Sequence, residues 1–389
     1  MSQGGKVVRA TPFHIDVTQS VLDDLKRRLI QTRWPDAPKE ANWNDGTNIG
    51  YLRQLVSYWI QDFNWRDQEK YLNGFQQFKA RIDGLKIHFI HECGVGPKPM
   101  PLILTHGWPS SFFEMTKIIP LLTDPASHGG DATDAFDVVV PSLPGYGFSQ
   151  NPNYRKMTLK DISDLWTKLM VDILGYRHFG AHGGDIGAGV ATNLGRFHPE
   201  NMIGIHILAF ASPILNQKTA PLTEAEQQYV SKLKLWEKED GAYEHQQSTR
   251  PQTLAYGLND SPTGLAAWII EKFRSWSDCN GEIERRFSKD ELLTNLTIYW
   301  ITETINSSIH LYYDHQHSPK NTQMFRRIEV PTGATLTVEP VNRPPREWVE
   351  RTYNVQRWTE LPRGGHFAAF EEPELLAREI RAFFRPFRK

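Results

Sequence analysis

Hydrophobic residues recur at helical spacing in the first sixty positions of the chain. Leu22, Leu25 and Leu29 lie three and four positions apart, and a second apolar stripe runs through positions 52, 55, 56, 59 and 60. Stripes with this period cover one face of a helix, which is normally the face that packs on a core. The pattern therefore predicts two amphipathic helices near the amino terminus, and we assign them no catalytic role.

Further along the chain, the spacing changes to that of strands. Alternating apolar and polar residues flank Asp83-Gly84, a dipeptide typical of tight turns, so a β-hairpin is predicted over residues 78–89. From residue 100, short apolar runs alternate with helical patterns such as residues 159–174, which predicts βαβ crossovers and a mostly parallel sheet. These predicted strands cover residues 101–105, 136–140, 178–181 and 203–208.

The strand patterns stop after Ser212 and resume only at residues 328–330 and 353–358. The residues between are rich in helix formers, aromatics and charges, so an α/β core interrupted by a helical insertion is the simplest interpretation. We expect an amino-terminal extension with the first core hairpin over residues 1–99, the first part of the core over 100–213, a helical lid over 214–320 and the second part of the core over 321–389.

The composition argues against several classes of function. The chain has 44 Lys and Arg against 45 Asp and Glu, for a net charge of −1, which gives no electrostatic case for binding nucleic acid or anionic membranes. Its two cysteines, Cys93 and Cys279, fit a reducing compartment better than a disulfide scaffold. The first six residues lack an apolar signal region, and no apolar run reaches the length of a membrane span. We therefore expect a cytoplasmic protein without a nucleic-acid partner or a membrane anchor, and the sequence leaves a homodimer open.

The most informative chemical signal is Gly183-Gly-Asp-Ile-Gly187, between a predicted strand and a predicted helix. Small residues two positions before and after a nucleophile permit the sharp turn of a nucleophile elbow, and here Asp185 takes the place of the usual serine. A carboxylate nucleophile forms an ester whose own carbonyl carbon is then attacked by water. This chemistry suits the opening of epoxides or the displacement of halides. A Gly-rich phosphate loop or an ordinary turn is the alternative interpretation.

A second motif, His106-Gly-Trp-Pro109, directly follows the first predicted parallel strand. In hydrolases with an elbow, a loop at this place supplies backbone donors to the oxyanion. We therefore expect the backbone N–H groups of Trp108 and Ile186 to point at one position. There they would hold an oxygen of the Asp185 carboxylate, and later the oxyanion on its ester carbon.

A candidate base lies near the carboxyl end. The motif Arg363-Gly-Gly-His-Phe-Ala-Ala369 follows a predicted strand and precedes a helix that begins near Pro373. The two glycines allow the backbone to approach a site closely. An isolated histidine is usually structural, but the position of His366 matches the nucleophile–acid–histidine order of α/β hydrolases.

Together these motifs resemble the epoxide hydrolases of the α/β-hydrolase fold, in the branch of the microsomal and juvenile-hormone enzymes. The resemblance extends from Phe13 almost to the carboxyl terminus. The segments that carry it are Arg33-Trp-Pro-Asp36, His106-Gly-Trp-Pro-Ser-Ser111, Leu143-Pro-Gly-Tyr-Gly-Phe-Ser149, Gly183-Gly-Asp-Ile-Gly187, Gly257-Leu-Asn-Asp-Ser-Pro262 and Arg363-Gly-Gly-His-Phe-Ala-Ala-Phe370.

The resemblance implies that Asp185 is the nucleophile, that His366 activates water and that an acidic residue near position 340 orients the histidine. It also implies a lid that supplies donors to the epoxide oxygen, and an amino-terminal segment that wraps around core and lid. The implied partner is a small-molecule epoxide, which becomes a vicinal diol. The reaction needs no cofactor and no metal, and the membrane anchor of some relatives is not expected.

One departure from the family concerns the acid. The family's position matches Pro340, which has no carboxylate, but the neighbouring Glu339 carries one on a longer arm. A β-bulge or a shifted loop would present it to His366. We assign the acid to Glu339, because a carboxylate is needed to fix the histidine tautomer. Glu350 and Glu360 are the alternatives, and their positions suit solvated surface charges better.

The other departure lies in the lid. Relatives usually place two tyrosines over the epoxide oxygen; the second matches Tyr312, but we match the first to Trp268. An indole N–H donates a hydrogen bond and cannot deliver a proton. The sequence therefore predicts that Trp268 and Tyr312 both polarise the ring oxygen and that Tyr312 is the sole phenolic proton donor. Packing within the lid is the alternative role for Trp268.

Two other functions stay open at this point. Haloalkane dehalogenases use the same Asp–acid–His logic, but their halide-binding tryptophan usually follows the nucleophile directly, where this chain has Ile186. A non-catalytic ligand-binding protein on the same scaffold is the other alternative. The presence of all four groups, Asp185, Glu339, His366 and Tyr312, weighs against it, whereas the shifted register of the acid keeps it open.

Overall fold

One sheet runs through the centre of the molecule. The computed structural model describes residues 10–38, 42–152, 155–212, 221–319 and 326–388. The strands in these ranges are β1 (Thr11–Pro12), β2 (Gln77–Ile82), β3 (Leu85–Glu92), β4 (Met100–Thr105), β5 (Phe136–Pro141), β6 (Phe179–Gly183), β7 (Met202–Ile207), β8 (Ile328–Leu336) and β9 (Tyr353–Glu360). Their order in the sheet is β1-β2-β3-β5-β4-β6-β7-β8-β9. The six strands from β5 to β9 in this order are parallel, and β1, β2 and β3 join antiparallel at the β5 edge. The predicted mostly parallel α/β core is confirmed.

Helices precede, connect and follow the strands of the sheet. In the described ranges they are α1 (Gln19–Ile30), α2 (Ile49–Gln61), α3 (Trp65–Leu72), α4 (Ile119–Thr123), α5 (Leu159–Lys168), α6 (Asp185–Phe197), α7 (Glu224–Glu239), α8 (Ala242–Thr249), α9 (Pro251–Leu258), α10 (Pro262–Trp276), α11 (Lys289–Ile301), α12 (Ile305–Gln316), α13 (Arg346–Glu350), α14 (Ala368–Glu371) and α15 (Pro373–Phe384). None of these helices is both long enough and apolar enough to cross a membrane.

The two amino-terminal stripes are helices, as predicted. On α1, Leu25 and Leu29 are buried, and on α2 the buried side chains include Leu52, Leu55 and Trp59. Their apolar faces pack into the same hydrophobic core as the sheet. The stripes therefore serve packing, and the helices hold the amino-terminal segment against the rest of the protein.

The predicted hairpin is also present. Ile82 pairs with Leu85 across the turn, and the two turn residues, Asp83 and Gly84, have φ of 47° and 86°. Two successive residues with positive φ match the right-handed twist of the flanking strands. Asp-Gly suits this turn because glycine, and to a lesser extent aspartate, tolerate that conformation.

Helices α7 to α12 follow β7 and precede β8, and residues 221–319 contain no strand. This lid contacts the core through α11: the Asn295 side-chain amide donates to the Pro109 carbonyl at 2.9 Å, and the Tyr299 hydroxyl donates to the Ser110 carbonyl at 2.8 Å. A helical insertion between core strands is confirmed. The predicted lid boundaries at residues 214 and 320 lie outside the described residues, so the domain boundaries stay predictions.

The amino-terminal segment contacts both other parts of the molecule, as the resemblance implies. The Phe13 N–H donates to the Gln77 carbonyl at 2.8 Å, which joins the segment to the core hairpin. On the lid side, the Thr47 hydroxyl donates to the Ala267 carbonyl at 2.6 Å. The segment therefore braces lid and core together.

Candidate active site

Asp185 lies at the turn between β6 and α6. Its φ of 48° is in the left-handed region, which is uncommon for a residue with a side chain and marks a strained turn. Glycines are required on both sides. A Cβ on Gly183 would collide with the Gly187 backbone, and a Cβ on Gly187 would collide with the Thr105 carbonyl. The strand–turn–helix geometry predicted for a nucleophile elbow is therefore confirmed, and it presents the carboxylate above the sheet.

The loop after β4 approaches this carboxylate closely. The Trp108 backbone N–H donates to Asp185 Oδ1 at 2.9 Å, as expected of an oxyanion donor. Gly107 is needed here, since a Cβ at this position would collide with the carboxylate. The Ile186 N–H belongs to the first turn of α6, whose N–H groups have no acceptor within the helix. Among the described residues it makes no hydrogen bond to Asp185, so its role as second donor stays a prediction.

His366 contacts both carboxylates that the sequence analysis assigned to it. Its Nδ1 lies 3.1 Å from Glu339 Oε2, and its Nε2 lies 3.6 Å from Asp185 Oδ2. Glu339 follows the end of β8, and the Val338 N–H donates to the Gly364 carbonyl at 2.9 Å, which joins this loop to the histidine loop. This loop places the carboxylate of Glu339 against the imidazole of His366.

The two alternative acids contact arginines instead. Glu350 accepts a hydrogen bond from Arg346 at 2.7 Å. Glu360 lies 3.7 Å from Arg343, and its side chain is 57% exposed. Neither carboxylate contacts His366 within the described part of the chain. Glu339 is therefore the carboxylate that the fold places against the imidazole.

The loop that carries His366 is held by a buried carboxylate and by the lid. Glu371 accepts hydrogen bonds from the Gly365 and Phe367 N–H groups, both at 3.0 Å. The His366 N–H donates to the Trp276 carbonyl at 2.9 Å. A Cβ on Gly365 would collide with that carbonyl, which explains the second glycine of the motif. These contacts fix the backbone on both sides of the histidine.

The charges around His366 change its protonation equilibrium. Burial lowers the pKa of the imidazole, but the anionic Glu339, which also accepts its hydrogen bond, and the anionic Asp185 and Glu114 outweigh burial and raise the pKa to about 9. The part of this shift that comes from Asp185 depends on the negative charge of that carboxylate. It is therefore lost whenever Asp185 becomes an ester.

Two phenols from the lid face the carboxylate. Tyr312 of α12 lies edge-on to Trp108, with ring centroids 6.0 Å apart. Tyr243 of α8 stacks on Trp108 with centroids 5.3 Å apart, and it meets Tyr312 edge-on at 6.2 Å. Burial raises the pKa of both phenols well above its ordinary value, and the charge of Asp185 adds to the shift. Neither hydroxyl has a hydrogen-bond partner among the described residues.

Tyr243 was missed by the sequence analysis. Helix α8 is short and mostly polar, so its residue pattern does not indicate which face turns towards the sheet. The only local signal is an aromatic residue followed four positions later by Gln247, which would share one face of a helix. Gln247 is completely buried, and this agrees with an inward-facing side of α8.

The structure gives the Trp268 indole a partner other than the one expected. Its indole N–H donates to Gln247 Oε1 at 3.1 Å. An indole has a single donor, so this hydrogen bond leaves none for an epoxide oxygen. The ring also lines a cavity of about 720 Å³ between the amino-terminal segment and α10. Packing in the lid, the alternative role given above, agrees with this geometry.

Comparisons with known proteins agree with the geometry. The family model "Epoxide hydrolase N terminus" matches residues 10–115, and the model "alpha/beta hydrolase fold" matches residues 100–255. A protein of Stigmatella aurantiaca is 43% identical over 382 residues, which cover 97% of this chain and 85% of that protein. Epoxide hydrolase 1 of Oryctolagus cuniculus is 38% identical over 401 residues, with 96% and 88% coverage.

A solved structure shows the same fold over nearly the whole length. The crystal structure of juvenile hormone epoxide hydrolase from the silkworm Bombyx mori matches with a TM-score of 0.86 and 29% identity. The match covers 97% of this chain and 95% of that one. Family models, relatives and structure all point to one enzyme class. The chain therefore belongs to the epoxide hydrolases of the α/β-hydrolase fold.

Proposed function

We propose that this enzyme converts an epoxide to a vicinal diol through a covalent ester on Asp185. The observation that carries the proposal is the convergence of three kinds of group on one point. An elbow carboxylate, a histidine paired with its own carboxylate, and two unpartnered phenols all surround the same space. Direct addition of water to an epoxide would not need a nucleophile held in a strained turn.

In the first step, Asp185 attacks an epoxide carbon. Oδ1 accepts the hydrogen bond from Trp108 and becomes the carbonyl oxygen of the ester, so we assign the new bond to Oδ2. The ring C–O bond breaks, and the ring oxygen takes a proton from a phenol. Negative charge then develops on the ring oxygen, where the phenol donors are already in position. Because they stabilise this charge in the transition state, they lower the barrier and do more than bind the substrate.

We assign the proton donation to Tyr243 and Tyr312 together. Both rings pack against Trp108, the residue whose N–H holds the nucleophile. The charge of Asp185 contributes to the raised pKa of each phenol. Two donors can hold both lone pairs of a ring oxygen, and either can deliver a proton. This assignment replaces the single phenol and the indole expected from the sequence.

In the second step, water attacks the carbonyl carbon of the Asp185 ester. His366 Nε2 takes a proton from this water, and Glu339 stabilises the imidazolium through Nδ1, 3.1 Å away. The Trp108 N–H holds the developing oxyanion. Collapse of the tetrahedral intermediate breaks the C–O bond to the substrate, and the leaving alkoxide takes the proton of the new carboxyl group. The diol then leaves, with Asp185 regenerated as a carboxylate. The phenolate regains its proton as the imidazolium loses one.

The protonation of His366 fits this order of events. In the free enzyme the anionic Asp185 contributes to the raised pKa of the imidazole. Ester formation removes that charge, so the pKa falls and His366 loses its proton when a base is needed. The nucleophile thereby prepares the base for the second half of the reaction.

A labelling experiment tests the ester. Wild-type enzyme that turns over once in ¹⁸O-water should carry the label in the Asp185 carboxylate, because water attacks that carbon and not the epoxide. Label found only in the diol after a true single turnover would eliminate the ester and indicate direct attack of water. A simple aryl epoxide is the test compound for this experiment. Halide release from a haloalkane without epoxide turnover would instead support the dehalogenase alternative.

A further inference from the structure

Glu114 is a carboxylate that neither half-reaction uses so far. It belongs to the single turn at Phe112–Met115 that follows the Trp108 loop. The other side chains of this turn, Phe112, Phe113 and Met115, are buried, whereas that of Glu114 is only partly covered. Through its contact with Ser110, Glu114 lies beside the oxyanion loop, with part of its side chain accessible.

The hydrogen bonds of Ser110 show what Glu114 can do there. The Ser110 hydroxyl lies 3.1 Å from the Gly107 carbonyl, and it also makes a short contact with Glu114 Oε2. A hydroxyl has one proton, and a carbonyl only accepts. When that proton goes to Gly107, the Glu114 carboxyl must donate to Ser110. In this arrangement the other carboxyl oxygen, Oε1, stays free to accept a hydrogen bond from a water molecule.

Three charged groups from other parts of the structure act on Glu114, and they are Asp185 of α6, His366 and Glu371 of α14. The neutral phenol of Tyr299 on α11 also lies within reach of the Glu114 charge. Burial raises the pKa of Glu114 to about 7, and the charges of Asp185 and Glu371 act in the same direction. The hydrogen bond from Ser110 and the charge of His366 act to lower the pKa. The carboxyl is thus able to change its protonation state near neutral pH.

From these contacts we propose that Glu114 binds the hydrolytic water and holds it against His366 Nε2. The water donates one hydrogen to His366 and the other to Glu114 Oε1, so its free lone pair points at the ester carbon of Asp185. Glu114 remains bound to Ser110 throughout and exchanges no atom with the substrate. The inference rests on the proposed ester mechanism, and it concerns the second half-reaction alone.

Two variants separate this role from a structural one. In Glu114→Leu the acceptor is lost, so hydrolysis of the ester should slow by about 10–100-fold, the cost of a misplaced reactant. Alkylation should stay within about threefold of the wild-type rate constant, since Asp185 and Trp108 are untouched. In Glu114→Gln, the amide donates to Ser110 and its oxygen still accepts from water. This variant mimics the neutral acid and should retain hydrolysis at pH 6.

The pH dependence sharpens the test. Above pH 7 the wild-type Glu114 is an anion, which accepts the water hydrogen more strongly and stabilises the imidazolium that forms on His366. The ratio of the wild-type hydrolysis rate to that of Glu114→Gln should therefore rise between pH 6 and pH 8. A residue that only braces the loop would leave this ratio constant.

Rapid-quench single turnovers of styrene oxide, followed by mass spectrometry of the protein, measure both half-reactions. Ser110→Ala is the matched control for loop bracing. If Glu114 only braced the loop through Ser110, both Glu114→Leu and Ser110→Ala would slow alkylation by similar factors, which would overturn the proposal. Wild-type hydrolysis in Glu114→Leu would also overturn it and leave the ester mechanism intact. Absence of any ester in wild type would instead overturn the mechanism itself, and the water-binding role with it.

Discussion

The carboxyl-terminal edge of the sheet and the lid contribute to the same reaction, but their residues leave different signals in the sequence. Asp185, Glu339 and His366 lie just after β6, β8 and β9, and the carboxyl ends of parallel strands meet at one edge of a sheet. Tyr243 and Tyr312 lie within lid helices, α8 and α12. Each core side chain depends on a local backbone feature, whereas each lid side chain depends on how its helix is packed.

This difference decides how readily the functional residues of each region can be recognised in the sequence. At the core edge the turns require glycine at Gly183, Gly187 and Gly365 because any side chain would collide with backbone. Such requirements appear as short motifs that can be read directly. A lid helix has no corresponding requirement at the residue that faces the substrate. We therefore expect changes in the core to affect the ester chemistry, and changes in the lid to affect only the donation of the proton.

The largest effect is expected from the core acid. Glu339→Gln should slow ester hydrolysis by up to about 10⁴-fold, the loss seen when a triad carboxylate becomes an amide. Alkylation should be far less affected, since Asp185 is already an anion. Rapid-quench kinetics measure both steps. Glu350→Gln and Glu360→Gln are matched controls whose rates should stay near wild type, and loss of hydrolysis in either of them would move the acid away from Glu339.

The next effect concerns the lid phenols. The double variant Tyr243→Phe/Tyr312→Phe should slow alkylation by about 10²–10⁴-fold, the usual contribution of a positioned general acid. Each single variant should lose less, because the remaining phenol still delivers a proton. Stopped-flow alkylation rates measure this ranking. If Tyr243→Phe kept the full wild-type alkylation rate while Tyr312→Phe lost most of it, Tyr312 would be the sole proton donor.

A smaller effect is expected in the pH dependence of hydrolysis. The pKa of His366 in the free enzyme is raised to about 9 by Glu339 and Asp185 against the effect of burial. A base acts in its unprotonated form, so the rate of hydrolysis rises with pH through the pKa that applies in the ester. That pKa should lie below the free-enzyme value because the ester removes the charge of Asp185. Imidazole NMR titration of free enzyme, set beside rapid-quench rates, would contradict this if both gave the same value.

The smallest effect on rate is expected at Trp268. Trp268→Phe removes the hydrogen bond to Gln247 and leaves a buried amide oxygen unpaired, so the free energy of unfolding should fall by about 1–3 kcal/mol. Alkylation should remain within about threefold of wild type, since no donor to the substrate is lost. Denaturant unfolding and stopped-flow kinetics measure the two quantities. A large loss of alkylation at unchanged stability would return Trp268 to the site.

Much of the fold and of the core site could be predicted from the sequence. The stripes, the hairpin at Asp83-Gly84 and the apolar strands follow from local patterns, and the elbow and the histidine loop follow from glycine motifs. Glu339 could be assigned because the imidazole needs a carboxylate and only a short shift of the loop was required. Its contact with His366 at 3.1 Å is within the reach of the longer glutamate arm.

The lid donors could not be predicted in the same way. Trp268 and Tyr243 lie on different helices, and which of them faces Asp185 depends on how α8 and α10 rotate on the core. Gln247 decides this locally, because it takes up the indole N–H of Trp268. The match of the Trp268 segment to a family position contains no information on which of the two side chains the folded lid turns towards Asp185. Glu114 was missed for a related reason, since its role depends on its position beside the oxyanion loop and not on its own turn.

The central claim is the covalent ester, and trapping it is the most direct test. Asp185 is an anion before substrate arrives, so His366 should be needed chiefly for the second step. His366→Gln should therefore react once with a small epoxide and then stall. Intact-protein mass spectrometry should show a gain equal to one substrate, and peptide mapping should place it on the segment Gly183–Gly187. An unmodified protein after incubation, or a substrate adduct mapped elsewhere, would contradict the account.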